Sequence, residues 1–290
     1  MKNIFISLRP HQWIKNLFIL LPIIFGNKLF VYPANLKTLI AFSLFCITSS
    51  VVYLINDLID LEEDKNHPVK KLRPLASGKI SLKKVKVVII VLWLISLIAS
   101  FYLNLYFGWI IVCYLVLNIL YSSYLKKIVI IEVLCIGAFF LLRIIAGTII
   151  AEVDFSHWMI FMTVLLAIFL GFNKRRQELK HYKDNAPIQR YVLTKYNTYF
   201  LDQMISVTTA SIVVVYMLYT VDYRTINLFG TNHLSYSIPF VYYGIFRYLY
   251  LVHKENKDGD PTNLLLSDRV LQINILLWII TCISVIYFKI

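Results

Sequence analysis

The stretch TLIAFSLFCITSSVVYLINDLIDLEEDKNHPVKKLRPLASGK, residues 38–79, decides the fold. Its first eighteen residues, Thr38 to Ile55, carry no charge. Five of the chain's sixteen acids then fall within eight positions, 57 to 64, and a basic run with Lys70, Lys71 and Arg73 follows. Roughly 20 apolar residues cross the hydrocarbon core as a helix. The stretch therefore reads as a membrane span that ends abruptly in a charged loop.

Uncharged blocks of this kind recur along the chain. Of 290 residues, 59% are hydrophobic and only 16% are charged, with a mean hydropathy of +0.70. That composition excludes an ordinary soluble domain. A membrane β-barrel is excluded too, because it would show alternating segments of about ten residues. The chain reads as an all-α polytopic membrane protein, with about nine transmembrane helices in one bundle and one integral membrane domain over 1–290. The expected helices are 13–32, 38–57, 87–104, 107–124, 129–150, 156–173, 202–221, 236–252 and 270–288. The uncharged run 87–125 is too long for one span and should break near Asn104 to Gly108. The N-terminus has no convincing signal peptide, so it is expected to stay as the first span.

Loop charge sets the expected orientation. With the N-terminus cytoplasmic, 23 of the 29 lysines and arginines lie on the cytoplasmic side, and four (Lys28, Lys37, Arg224, Lys289) lie opposite. This bias accounts for the net charge of +13 without a nucleic-acid partner. The loops 58–86 and 174–198 then carry the informative charges. Cys46, Cys113, Cys135 and Cys282 fall inside expected spans without ligand spacing and read as packing residues.

Asp57, Asp60 and Asp64 are spaced i, i+3, i+7 and would share one face of a helix. Asn56, four residues before Asp60, adds an amide oxygen. Carboxylates near a helix C-terminus are opposed by the macrodipole and repel one another, so the group needs a cation. Oxygen ligands of this kind, completed by substrate phosphates, are the usual Mg²⁺ set. Lys71 and Arg73 beside it suit phosphate oxygens. A solvated acidic loop is the plainer alternative, and Glu62 and Glu63 fit it. Arg143 lies within an apolar helix and reads either as snorkelling to an interface or as a contact to an anionic substrate. Arg247, nearer its helix end, reads as snorkelling, and Asp268 as a helix cap.

The pattern NDxxDxxxD at the end of the second helix resembles the first Asp-rich motif of the UbiA-type intramembrane prenyltransferases. More narrowly, RPHQWIKN (9–16), residues 56–78, LLRIIAG (141–147) and NKRRQEL (173–179) resemble the decaprenyl-phosphate phosphoribosyltransferase branch. The resemblance covers nearly the whole chain. It implies that Gln12, Lys15 and Asn16 line a polar cavity. Tyr121 and Lys126 of YSSYLKK fall on the same expected side and are further candidates.

The chain departs from the superfamily at the second Asp-rich motif. The place reads FNKRRQELKHYKDN, with Lys174, Arg175 and Arg176 and one nearby acid, Glu178, spaced to hold the basic heads. Fixed cations in place of metal ligands imply a donor with a diphosphate and a separate phosphate, 5-phosphoribosyl-1-diphosphate, and a polyprenyl phosphate acceptor. Asp57, Asp60, Lys174 and Arg175 are then the expected catalytic residues. The resemblance also implies a bacterial-type inner membrane with the active site cytoplasmic. An assembly of several copies is compatible with the sequence. The alternative is an aromatic prenyltransferase with a polyprenyl diphosphate donor, which predicts the missing acidic motif. A small-anion transporter is a second rival, but it suits charge in mid-span better than charge gathered at one face.

Overall fold

The structure is a computed structural model that describes residues 2–67, 69–183, 191–253 and 261–289. Residues 184–190, part of the expected loop 174–198, lie outside the described residues, as do 254–260. Among the described residues the regular structure is helical throughout. The chain groups into two compact units, Met1–Cys135 with Leu142–Asp154, and Ile136–Leu141 with Phe155–Ile290.

The first part of the chain holds α1 (Lys2–Ser7), a 3₁₀ segment (Pro10–Leu20), α2 (Leu21–Phe25), α3 (Ala34–Ile59), α4 (Leu61–Lys65), α5 (Leu82–Leu103), α6 (Leu105–Ser123) and α7 (Ile131–Ala151). The second part holds α8 (His157–Lys183), α9 (Thr198–Val221), α10 (Tyr223–Phe229), α11 (Ile238–His253), α12 (Pro261–Ser267) and α13 (Arg269–Phe288). Seven of these, α3, α5 to α9 and α13, are long and apolar enough to cross a membrane. The expected span 236–252 is present as α11, at 16 residues a shorter helix.

The expected first span, 13–32, is not a continuous α-helix. Residues 10–20 form a 3₁₀ run, α2 adds five residues, and turns follow. Pro22 removes a backbone donor there, and apolar composition alone does not separate a 3.6 from a 3.0 period.

The other boundaries follow local chemistry. Asn104 ends α5 in an extended conformation, and its Oδ1 accepts from the backbone N–H of Tyr106 (2.9 Å) and Phe107 (3.1 Å), capping α6. This is the break expected near Asn104. Asp268 caps α13 by accepting from Leu271 N at 2.8 Å. Small and hydroxylated residues in α3 let helices approach closely. Thr48 and Ser96 share a 2.5 Å hydrogen bond between α3 and α5. Gly147 of α7 faces the Ile19 carbonyl of the 3₁₀ segment so closely that an added Cβ would collide with it.

The end of α3 is fixed by an apolar cluster of Leu54, Leu75, Ile80 and Val85, joined by Ile4, Leu8 and Leu61. Full burial of each such side chain contributes about 1.5–3 kcal/mol. The cluster pins the segment 73–80 against α3, and Arg73 stands at the start of that segment.

Candidate active site

The acidic run does not continue α3. That helix stops at Ile59, Asp60 takes φ −89° and ψ 9°, and α4 begins at Leu61. The single helical face expected for Asp57, Asp60 and Asp64 is therefore broken at Asp60. Its reason lies in the helix end itself, where three carboxylates and the macrodipole disfavour continuation.

Across the break Asp57 and Asp64 share one partner, and Asp60 takes another. Asp57 and Asp64 are buried, 3% and 2% exposed. Arg73 Nη1 donates to both, to Asp57 Oδ1 at 3.2 Å and Asp64 Oδ2 at 2.5 Å. Arg9 Nη2 also donates to Asp57 Oδ1. Lys126 Nζ donates to Asp60 Oδ1 at 2.7 Å. Ser122 Oγ donates to Asn56 Oδ1 at 2.6 Å. The last residues of α6 and the turn after it thus face the end of α3.

Arg9 was not among the expected site residues. An arginine just before a first span reads as a charge anchor, and its acid lies 48 positions away. Its backbone is left-handed at φ 52°, uncommon outside glycine. Its guanidinium also lies 5.0 Å over the Tyr53 ring.

A second polar cluster sits deeper in the same unit. Arg143 is 4% exposed. Its Nε donates to Asn16 Oδ1 at 2.8 Å, and its Nη2 donates to Tyr114 Oη at 2.9 Å. Its guanidinium stands over the Phe45 and Tyr114 rings at 5.3 and 5.0 Å, adding a cation–π contribution. Asn16 in turn donates to Ser49 Oγ at 3.1 Å. Arg143 is thus an internal residue and does not snorkel. Gln12 is buried, Lys15 and Tyr121 are half-buried, and Lys71 is exposed.

In the second unit, Arg175 is 1% exposed and donates to Glu178. The expected i, i+3 pairing is present, and Lys174 is half-buried one position before it. Arg176 pairs with Asp202 instead, an acid near the start of the apolar α9 with nothing local to mark its partner. Arg247 donates to Asp268 Oδ2 at 2.8 Å, so it is an ion-pair partner, not a snorkelling residue.

Among the described residues, no three His, Cys, Asp or Glu side chains are gathered closely enough to hold a metal ion. The donor set still fits a hard cation. Asp57 and Asp64 already converge on one cationic nitrogen of Arg73, and carboxylates completed by phosphate oxygens are what Mg²⁺ takes.

Helices of this length and polarity, with an acidic cluster where α3 ends, define an integral membrane protein. Residues 19–275 match the UbiA prenyltransferase family, and the chain belongs to it. It is 29% identical to the decaprenyl-phosphate phosphoribosyltransferase of Mycolicibacterium smegmatis, over 98% of this chain and 92% of that one. It is 30% identical to the enzyme of the same name from Mycobacterium tuberculosis, over 95% of this chain and 91% of that one. Its fold is that of a UbiA homologue from Archaeoglobus fulgidus bound to GPP and Mg²⁺, with a TM-score of 0.71, 18% identity, and coverage of 98% of this chain and 99% of that one.

Proposed function

We propose that this chain transfers 5-phosphoribose from 5-phosphoribosyl-1-diphosphate to a polyprenyl phosphate, releasing diphosphate, at the cytoplasmic face of a bacterial-type inner membrane. The observation that carries this reading is the end of α3, where three carboxylates meet three cations: Arg73 from the loop that follows, and Arg9 and Lys126 from distant parts of the chain. The names of the full-length relatives support a phosphoribosyl group as what is transferred and a polyprenyl phosphate as its acceptor, and the Mg²⁺ in the Archaeoglobus structure supports the metal.

Asp57, Asp60 and Asp64 would hold Mg²⁺, with Asn56 beside them. The chemistry a bound Mg²⁺ supplies is neutralisation of the departing diphosphate. Arg73 and Lys71 bind diphosphate oxygens, Arg73 through a planar fork that matches them. Lys174 and Arg175 bind the donor's phosphates, with Glu178 holding Arg175 in place. Gln12, Lys15, Asn16, Tyr121, Lys126 and Arg143 bind and orient the acceptor and donor head groups. An oxygen of the lipid phosphate attacks the anomeric carbon as the bond to diphosphate breaks. That oxygen is already ionised at neutral pH, so no strong general base is required. Catalysis rests on bringing two anions together and on fixed charges around the developing oxocarbenium ion.

The test is a radiolabelled transfer assay in membranes expressing the chain, with labelled 5-phosphoribosyl-1-diphosphate, with and without Mg²⁺ and polyprenyl phosphate. The expected result is label in an acid-labile lipid that needs both additions. Label-free lipid from membranes holding the folded protein would overturn the reading and direct attention to prenyl diphosphate donors.

A further inference from the structure

The second unit carries a groove of about 630 Å³ along α9 and α11 that the proposed reaction does not use. Its volume lies in the usual range of ligand pockets, about 300–1,000 Å³. One end is polar. Arg176, Asp202 and His253 meet there, from α8, the start of α9 and the end of α11. The rest is lined mainly by apolar side chains such as Val213, Val214 and Phe246, with the hydroxyls of Ser206, Thr209 and Tyr242 among them. From Asp202 to Val214 the groove follows α9 for about 18 Å at 1.5 Å per residue. Val214 and Phe246 are exposed, and in a membrane-spanning chain their surroundings are lipid chains.

The polar end has a definite donor and acceptor order. His253 Nδ1 lies 2.9 Å from the Leu249 carbonyl, which can only accept, so Nδ1 carries the proton. In the neutral ring Nε2 is then an acceptor, and it stands 4.0 Å from Asp202 Oδ1. Asp202 and His253 together therefore form an acceptor pair suited to a small N–H cation. Arg176 engages Asp202 through Nε and Nη2, which leaves its other N–H donors for an anion. An ammonium and a phosphate on one head group satisfy both.

Thr209 supplies the independent observation. It lines the groove, and its Oγ1 is buried without a hydrogen-bond partner. It stands seven residues, two turns, beyond Asp202. A hydroxyl left unmatched there costs roughly 1–3 kcal/mol. With χ1 turned toward the groove, it would donate to an ester carbonyl at that depth. A polyprenyl phosphate has no oxygen beyond its phosphate and offers nothing to Thr209.

We propose that this groove holds one ester-linked aminophospholipid of the surrounding bilayer. Its phosphate lies on Arg176, its ammonium on Asp202 and His253, an ester carbonyl at Thr209, and one acyl chain along Val213, Val214 and Phe246. The proposal depends on the chain spanning a bilayer and not on the transfer reaction.

The experiment is native mass spectrometry of the full chain in detergent. The protein is given phosphatidylethanolamine, phosphatidylcholine or phosphatidylglycerol with identical acyl chains, or polyprenyl phosphate. Phosphatidylethanolamine is expected to stay bound one to one. Phosphatidylcholine, whose quaternary nitrogen has no N–H, should bind about 10-fold more weakly, the scale of one hydrogen bond to a charged group. Ala210→Trp fills the groove from an exposed position of α9 and should abolish the adduct while the protein stays monodisperse. Thr209→Val, nearly the same shape, should weaken phosphatidylethanolamine about 5-fold through the lost hydrogen bond and serves if the tryptophan variant aggregates. Equal retention of phosphatidylethanolamine and phosphatidylcholine would overturn the proposal. So would preference for polyprenyl phosphate, or adducts of wild-type strength in both variants.

Discussion

The end of α3 and the polar end of α8 both gather charge where an apolar helix finishes, but they balance it differently. At α3 the acids sit together, and their cations come from other segments: Arg9 ahead of the 3₁₀ run, Arg73 from the loop that follows the acids, and Lys126 from the turn after α6. At α8 the cations sit together, and one of their acids is local, Glu178, three residues after Arg175. A helix turn fixes an i, i+3 pair with little additional ordering. Partners brought in by loops can be moved by a ligand that binds more strongly than they do. The acid end is therefore built for exchange, and the basic end is built to keep its geometry.

The sharpest way to break this contrast is Asp57→Asn. It removes the buried carboxylate shared by Arg9 and Arg73, and transfer should fall by about 10³-fold, the upper scale of a lost fixed electrostatic group. Unchanged labelling of lipid, with the protein still monodisperse, would show that the acid end is only structural. Lys174→Ala should raise the donor KM by about 10-fold, one charge-assisted contact, while the variant extracts from membranes normally. An unchanged donor KM would place donor recognition entirely at the acid end.

Arg73→Lys sharpens the comparison further. One guanidinium nitrogen bridges Asp57 and Asp64, and an ammonium on a flexible stem keeps the charge without the planar fork. Turnover should drop about 10-fold, read by the same assay; full activity would mean that charge alone matters there. Gly147→Ala tests the support beneath. Its Cβ would meet the Ile19 carbonyl, and overpacking of this kind costs about 1–3 kcal/mol, seen as a lower Tm in detergent. The smallest effect is expected of Ser122→Ala, which removes the hydrogen bond to Asn56 and should change turnover only a few-fold, about 1 kcal/mol.

Much of the scaffold was legible because it depends on local chemistry. The α5–α6 break was legible because the uncharged run 87–125 is too long for one span, and the structure shows Asn104 capping the next helix there; Asp268 was legible as the cap of α13. Arg175 and Glu178 were readable as a pair because a helix sets their spacing. What stayed hidden was partnership at long range. Nothing beside Arg9 names Asp57, and nothing beside Arg176 names Asp202. The same holds for Arg143, whose partners Asn16 and Tyr114 lie on other segments. The first span differs for another reason: hydropathy reports burial, and composition does not separate a three-residue turn from a 3.6-residue one.

That 3₁₀ run has a consequence for how the gene can vary. With three residues per turn, side chains three apart fall in one column. Trp13, Asn16 and Ile19 form such a column: Trp13 donates to Ser50, Asn16 meets Ser49 and Arg143, and Ile19 is fully buried. Adding one residue between Trp13 and Asn16 would turn Trp13 away from α3 while Asn16 and Ile19 keep their places, and adding two would do the same. Adding three would bring it back into phase. The segment should therefore tolerate length changes only in triplets of residues, a reading frame written in side chains.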